Sequence, residues 1–319
     1  MLERNYKIDN IRFIAMFLVV FSHMIELFAD CEKNLIYRII YSFHMPLFIF
    51  ISGYVAKFDK NKILKKLIPA YLIFQTIYKI FDCVYIQGIN KITVTYSNPY
   101  WFLWYLFILI GYHLLIPVFD ANKEKGPYIV LSVFIFALLI GFNASVGYEF
   151  SLSRFICFLP FFLLGYYSKN SELLNRIQGD KIVFICSIIG IVLSILYVMN
   201  FGVPTKAFYH AQAYSIIGHT LFDNFMIYIF SVLWIILILN IVPNIKIKWF
   251  TFAGQNTFFV YLFQGFLIKF LAKENFFTFD RITNLVLTIL FTLIFYIVCS
   301  NMEFQSKKLK HVLNNKQRL

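Results

Sequence analysis

Charge is scarce in this sequence. Asp, Glu, Lys and Arg together supply 14% of its 319 residues, against about 25% in a water-soluble globule, so an ordinary charged surface is excluded. No polar stretch exceeds about fifteen to twenty residues, too little for an independently folding core. The chain has no P-loop, GxGxxG or HExxH motif, no internal repeat and no low-complexity linker, which removes the common phosphate cradles and the zinc-protease helix. Its five cysteines (Cys31, Cys83, Cys157, Cys186, Cys299) show no CxxC spacing and mostly sit in apolar runs. They read as small buried hydrophobes and identify neither a zinc site nor a redox compartment.

What the chain has instead is apolar bulk. It is 60% hydrophobic and 20% aromatic, with mean hydropathy +0.72. The apolar residues come in blocks of about twenty, the length at which a helix crosses a hydrocarbon layer about 30 Å thick. Barrel strands of about ten alternating residues would look different. The expected fold is therefore all-α, a polytopic integral membrane helix bundle of about ten transmembrane helices forming one domain over residues 1–319. The spans fall near 10–30, 36–56, 65–85, 100–119, 127–143, 154–169, 182–200, 222–241, 250–271 and 282–301, with a basic tail at 304–319. The first resembles a signal peptide in its basic flank, but it lacks a small-residue cleavage site and carries Arg12, His23 and Glu26, so it is expected to stay. Residues 209–217 read as a partly buried or re-entrant segment.

Basic residues set the orientation. With a cytoplasmic amino terminus and an even span count, nineteen Lys and Arg fall inside and nine outside, Arg12 lying at the inner boundary. Both termini are then cytoplasmic. The net charge of +13, spread over connections facing one leaflet, reads as a topology signal with attraction to anionic lipid rather than as nucleic-acid binding. Abundant Lys, Ile, Asn and Phe hint at an AT-rich bacterial genome, hence a bacterial cytoplasmic membrane.

Ionisable groups inside spans are costly and mark functional sites by default. Arg12 and His23 stand eleven residues apart, a rise of about 16 Å that returns to nearly the same helix face. Glu26, three residues beyond His23, can hold an imidazole nitrogen. His44 lies at a depth similar to that of His23 on the neighbouring span, so the two rings are expected to share one cavity; Pro46 frees a carbonyl near His44, and Ser52-Gly53 permits close helix approach. Both histidines also fit packing positions bonded to nearby carbonyls. Trp101 and Trp104 open the fourth span, as an aromatic belt or as a sugar-stacking surface. Arg154 marks the outer mouth of a kinked helix, where it either snorkels or serves the cavity. Asn256 and Gln264 place amides along the ninth span, as glue between helices or as cavity groups. Tyr209, His210, His219 and Asp223 are candidates for an outer acceptor surface or for a wet loop.

Several blocks carry a family likeness: Asp9 with Arg12 and His23, then His44-Met45-Pro46-Leu47-Phe48 to Ser52-Gly53-Tyr54, Trp101-Phe102-Leu103, Arg154 to Phe161-Phe162-Leu163-Leu164-Gly165-Tyr166, and Gly254-Gln255-Asn256-Thr257 to Tyr261-Leu262. In this order they resemble the acyltransferase-3 family of membrane acyltransferases, and within it the fucose 4-O-acetylase-like branch, over residues 5 to about 300. The resemblance implies a ten-helix bundle that takes an acyl group, usually acetyl, from acyl-coenzyme A on the cytoplasmic side. The group passes to a hydroxyl of a surface glycan, lipid-linked sugar or small metabolite. It also implies that Arg12 and His23 are the paired essential residues and that Arg154 is a later functional arginine. Relatives often carry His where Gln264 stands; a glutamine there cannot act as a base.

The chemistry agrees with that expectation. A sugar hydroxyl attacking a thioester needs its proton removed as the bond forms, and histidine, with an ordinary pKa near 6.5, gains about 10²–10⁴ in rate by doing so. His23 is the expected base, with Glu26 or His44 orienting it; a transient acyl-histidine is the second mechanism. Arg12 and Asn10 at the inner mouth are the expected contacts for acetyl-CoA or another acyl-CoA, whose phosphates suit a guanidinium fork. Membrane lipids and a carbohydrate or lipid-linked carbohydrate acceptor complete the expected partners, with no metal and no nucleic acid. Two other classes fit the residues alone: a transporter or flippase using His23 and Glu26 for proton coupling, and a non-catalytic membrane interaction or sensor protein.

Overall fold

The computed structural model describes residues 4–87, 95–169 and 171–316; Lys91 and Arg318, both counted in the charge split, lie outside them. The main helices are α1 (Tyr6–Ile25), α2 (Leu35–Tyr54), α3 (Lys60–Ile86), α4 (Trp101–Ala121), α5 (Lys123–Phe142), α6 (Glu149–Ser168), α7 (Lys181–Asn200), α8 (Leu221–Ile241), α9 (Lys248–Gln255), α10 (Phe258–Lys273) and α11 (Arg281–Lys316). No strand occurs among the described residues. Side chains start several of these helices by accepting from otherwise unsatisfied amides. Asn5 accepts from Ile8 N, Asp59 from Lys62 N, Asp180 from Val183 N, and Asp280 from both Ile282 N and Thr283 N.

Among the described residues nine helices, α1 to α8 and α11, are long and apolar enough to cross a bilayer. The chain is thus an all-α, multi-pass membrane protein. The stretch expected as a ninth span at 250–271 is instead two helices. Backbone at Asn256 leaves the helical region (φ −125, ψ 56), and α10 has 16 residues, about 24 Å at 1.5 Å per residue. The break has a chemical cause. Asn256 turns its amide back on Phe252 O, and Lys307 Nζ takes both Asn256 Oδ1 and Gln255 O, satisfying the carbonyl end of α9 from outside. Two other boundaries also move. Helix α3 begins at Lys60 and includes lysines expected in a loop, one of which, Lys62, sets its Nζ 3.4 Å from His113 Nε2. Residues 304–316, expected as a tail, are the last turns of the 36-residue α11.

Contacts divide the chain into two compact units, residues 1–40 with 242–319, and residues 41–241. In the first, α1 packs against α9, α10 and α11. Gly254 of α9 abuts the carbonyl of Asp9, so any Cβ there would collide with backbone. Phe13 packs edge-on against Trp249, Phe250 and Tyr296. In the second unit α5 packs on α6 and α7 on α8. Gly53 of α2 meets Phe162 O while Gly165 of α6 meets Phe50 O, the close approach expected from Ser52-Gly53. Between α7 and α8 the chain is irregular yet buried, with Ala207, Phe208, His210, Ala211 and Ala213 inside. Helices α5 and α7 bury only 17% and 22% of their apolar windows, as expected of elements whose solvent is lipid.

Candidate functional site

In the first unit, polar groups gather at two levels of α1. At its start Asp9, 4% exposed, is held from three directions. Its Oδ2 accepts from Arg4 Nε at 2.7 Å and from Gln255 Nε2 at 3.0 Å, while Oδ1 lies 3.6 Å from Arg12 Nη1. The hydrogen bond to Asp9 raises the Arg4 guanidinium above its ordinary pKa. The Arg12 side chain keeps 30% exposure, so an anion can approach a guanidinium that Asp9 steadies. Asn10 is fully buried. Its Nδ2 donates to Pro243 O and Ile245 O, and its Oδ1 accepts from Thr251 at 2.8 Å. That amide is engaged in holding the turn into α9, the helix that presents Gln255 to Asp9.

His23 stands about 16 Å further along α1. Its Nδ1 lies 3.3 Å from Glu26 Oε2, and Glu26 Oε1 accepts from the Tyr37 hydroxyl at 3.1 Å. The pairing expected from three-residue spacing is therefore made, and Tyr37, which the sequence did not single out, extends it to a chain of three. An Nδ1–H directed at the carboxylate leaves Nε2 as the nitrogen with the lone pair. The His23 side chain is 11% exposed, largely shielded from bulk solvent.

The two amides expected along the ninth span differ in their surroundings. Asn256 is tied to Lys307, and Lys307 pairs with Glu303 at 2.7 Å. Glu303 in turn accepts from Phe259 N at the start of α10. Gln264 is fully buried, and neither its Nε2 nor its Oε1 finds a hydrogen-bond partner among the described residues.

In the second unit His44 is 1% exposed and packs edge-on against Tyr41 at 4.7 Å. It thus belongs to a different unit from His23. The Arg154 guanidinium lies over the rings of Trp104 at 4.8 Å and Tyr148 at 5.2 Å, and its Nε donates to Tyr209 O. Trp104 also stacks on Phe158. Arg154 and Trp104, singled out separately in the sequence, lie against one another; Tyr148 was not foreseen. Trp101 begins a short turn at φ 21 with its ring edge-on to Phe102. Beside Arg154, Ser153 donates to His210 O at 2.8 Å. The His210 ring meets Phe158 and Tyr228, and burial first, then His219 and Arg154, pushes its pKa down to about 3. Asp223 is satisfied by Thr220 and Tyr197, and His219 packs edge-on against Tyr214.

Comparison with known proteins bears on the same residues. A family model described as an acyltransferase domain, of the acyltransferase-3 family, matches residues 5–301. Neither a curated protein nor a solved structure matches the chain.

Proposed function

The chain belongs to the acyltransferase-3 family, and from that premise we propose that it is an O-acyltransferase moving acetyl from acetyl-CoA to a hydroxyl of a cell-envelope glycan or lipid-linked sugar. The observation that carries the reading is the His23–Glu26–Tyr37 chain, whose histidine lies on the helix that also bears Arg12. In the proposed reaction His23 Nε2 removes the acceptor hydroxyl proton as the oxygen attacks the thioester carbonyl. The tetrahedral intermediate expels the coenzyme A thiolate, which takes that proton from the imidazolium. The acceptor O–H and the acyl C–S bonds break, and an ester and a thiol form. Glu26 holds the productive tautomer and stabilises the imidazolium, and Tyr37 fixes Glu26.

Arg12 is proposed to grip donor phosphate, with Asp9 setting its orientation. The pantetheine arm then runs along α1 over the roughly 16 Å to His23. Acetyl as the group rests on the family resemblance, and the bacterial cytoplasmic membrane as the location on the abundance of Lys, Ile, Asn and Phe. The test is acetyl-CoA turnover by the purified protein with envelope glycan as acceptor. His23→Ala is expected to lower it by about 10²–10⁴, and Glu26→Gln by less, because water can take over part of an orienting role. Full turnover in folded His23→Ala protein would remove the base. Glycan movement across vesicles without ester formation would favour a transporter.

A further inference from the structure

Asp9, at the start of α1, serves two arginines at once. Arg4 Nε lies 2.7 Å from its Oδ2, and Arg12 Nη1 lies 3.6 Å from its Oδ1. Gln255 Nε2 adds a further bond to Oδ2. The carboxylate is nearly buried, so it is spent on orienting its partners and shows little of itself to an incoming anion.

Arg4 stands just ahead of the helix, whose capping residue is Asn5. Its side chain is 56% exposed. One of its N–H groups goes to Asp9, and those on Nη1 and Nη2 meet no hydrogen-bond partner among the described residues. The single carboxylate neutralises one guanidinium of the two, so positive charge remains here together with an exposed fork that can deliver it.

This arrangement selects a ligand class. With Asp9 between them, Arg4 Nε and Arg12 Nη1 are no more than about 9 Å apart, a gap that a diphosphate with a charge-assisted hydrogen bond of about 2.8 Å at either end can span. A single phosphate touching both would have to crowd against the carboxylate, and charge opposes that. Two linked phosphates give each guanidinium its own anionic partner. Coenzyme A carries such a diphosphate between its pantetheine arm and its adenosine. His23 lies beyond Arg12 on α1, so an arm running to His23 leaves from the Arg12 side and sets the adenosine-side phosphate at Arg4.

We infer that Arg4 is a second donor-binding residue, holding the adenosine-side phosphate of the coenzyme A diphosphate while Arg12 holds the phosphate that bears the arm. The assignment rests on the acyl-transfer reading for its ligand and on the shared carboxylate for its geometry. The experiment uses the full chain in nanodiscs of zwitterionic lipid. Calorimetric titration compares coenzyme A with dephospho-coenzyme A, which lacks only the 3′-phosphate, and with 4′-phosphopantetheine, which keeps only the phosphate of the arm.

Arg4→Met is expected to weaken coenzyme A and dephospho-coenzyme A alike, by about tenfold or more, and to leave 4′-phosphopantetheine within about twofold of the parent, which also reports a folded site. Arg4→Lys keeps the charge but loses the fork, and is expected to weaken the two diphosphate ligands severalfold. A loss confined to coenzyme A would mean that Arg4 reads the 3′-phosphate, and an equal loss with 4′-phosphopantetheine that it acts only by holding Asp9; either overturns the assignment. So does unchanged binding of all three, the result expected if Arg4 serves a lipid headgroup. A parent protein that binds no coenzyme A overturns both the assignment and the donor reading. Coenzyme A binding that depends on Arg4 in a protein that never transfers acetyl keeps the site and removes the enzyme. Acetyl transfer with a donor KM untouched in Arg4→Met keeps the enzyme and removes Arg4 from its donor site.

Discussion

Gln264 presents the sharpest energetic problem at the scale of single residues. Its amide is fully buried without a partner among the described residues, in a helix whose surroundings offer little water, and each unsatisfied group costs about 1–3 kcal/mol. If the amide serves a bound substrate, stability and function pull apart. Gln264→Met is expected to raise the thermal midpoint in detergent, followed by tryptophan fluorescence, and to lower acetyl-CoA turnover; a rise in both would make Gln264 a bystander. Arg12 answers to a different balance. Its guanidinium is steadied by Asp9, and Arg12→Lys keeps the charge but loses the fork, so coenzyme A affinity should fall by about 1.5–3 kcal/mol for one charged hydrogen bond. Calorimetric titration checks this, and equal affinity would reduce Arg12 to an anchor for α1. The sequence shows the His23–Glu26 pair because both lie on one helix three residues apart. It hides Tyr37, which reaches Glu26 only after the chain turns through residues 26–34, and it hides Gln255, whose bond to Asp9 joins positions 246 apart.

Among the elements, hydropathy locates nearly every span and fails where a side chain overrules it. The run Gly254-Gln255-Asn256-Thr257 interrupts the apolar stretch 250–271, but hydropathy averaged over a span smooths it away, and nothing local announces that Lys307, some fifty positions on, will take the carbonyl of Gln255 where the helix opens at Asn256. The lysines of α3 mislead in the opposite sense, because they lower hydropathy without ending the helix. The segment between α7 and α8 is held differently, by Ser153 and Arg154 gripping the carbonyls of His210 and Tyr209. The His210 pKa is pushed from its ordinary 6.5 down to about 3, so the docked segment keeps the ring neutral. Below pH 6.5 an opened segment takes up a proton that the docked one refuses. Docking is therefore undiminished above that pH and weakens by about 1.4 kcal/mol per unit between 6.5 and 3. Arg154 and His219, both facing the ring, add to the penalty. Amide exchange across residues 205–210 is expected to accelerate as pH falls from 7 to 5 after correction for intrinsic rates, and the change should shrink in His210→Gln.

For the whole molecule, the charge split places both termini in the cytoplasm only if the α9–α10 pair carries the chain across together with the nine spans. Reporters fused at each end are expected to signal from the cytoplasm. Opposite sides would mean that the broken pair returns to the face it entered. The first unit also joins the two ends of the chain, with residues 41–241, a run of 201, threaded between its parts. At about 5–20 residues per second, a ribosome spends about 10–40 s making that insert while α1 waits in the membrane without α9, α10 and α11. During that interval Asp9 has no Gln255 and Phe13 no aromatic neighbours from α9 or α11, so a stop codon before α9 leaves α1 without any of those three helices and one before α11 leaves it without the last of them. Newly made α1 is thus a natural client for insertion chaperones, and loss of the final helix should be read by quality control as loss of the first.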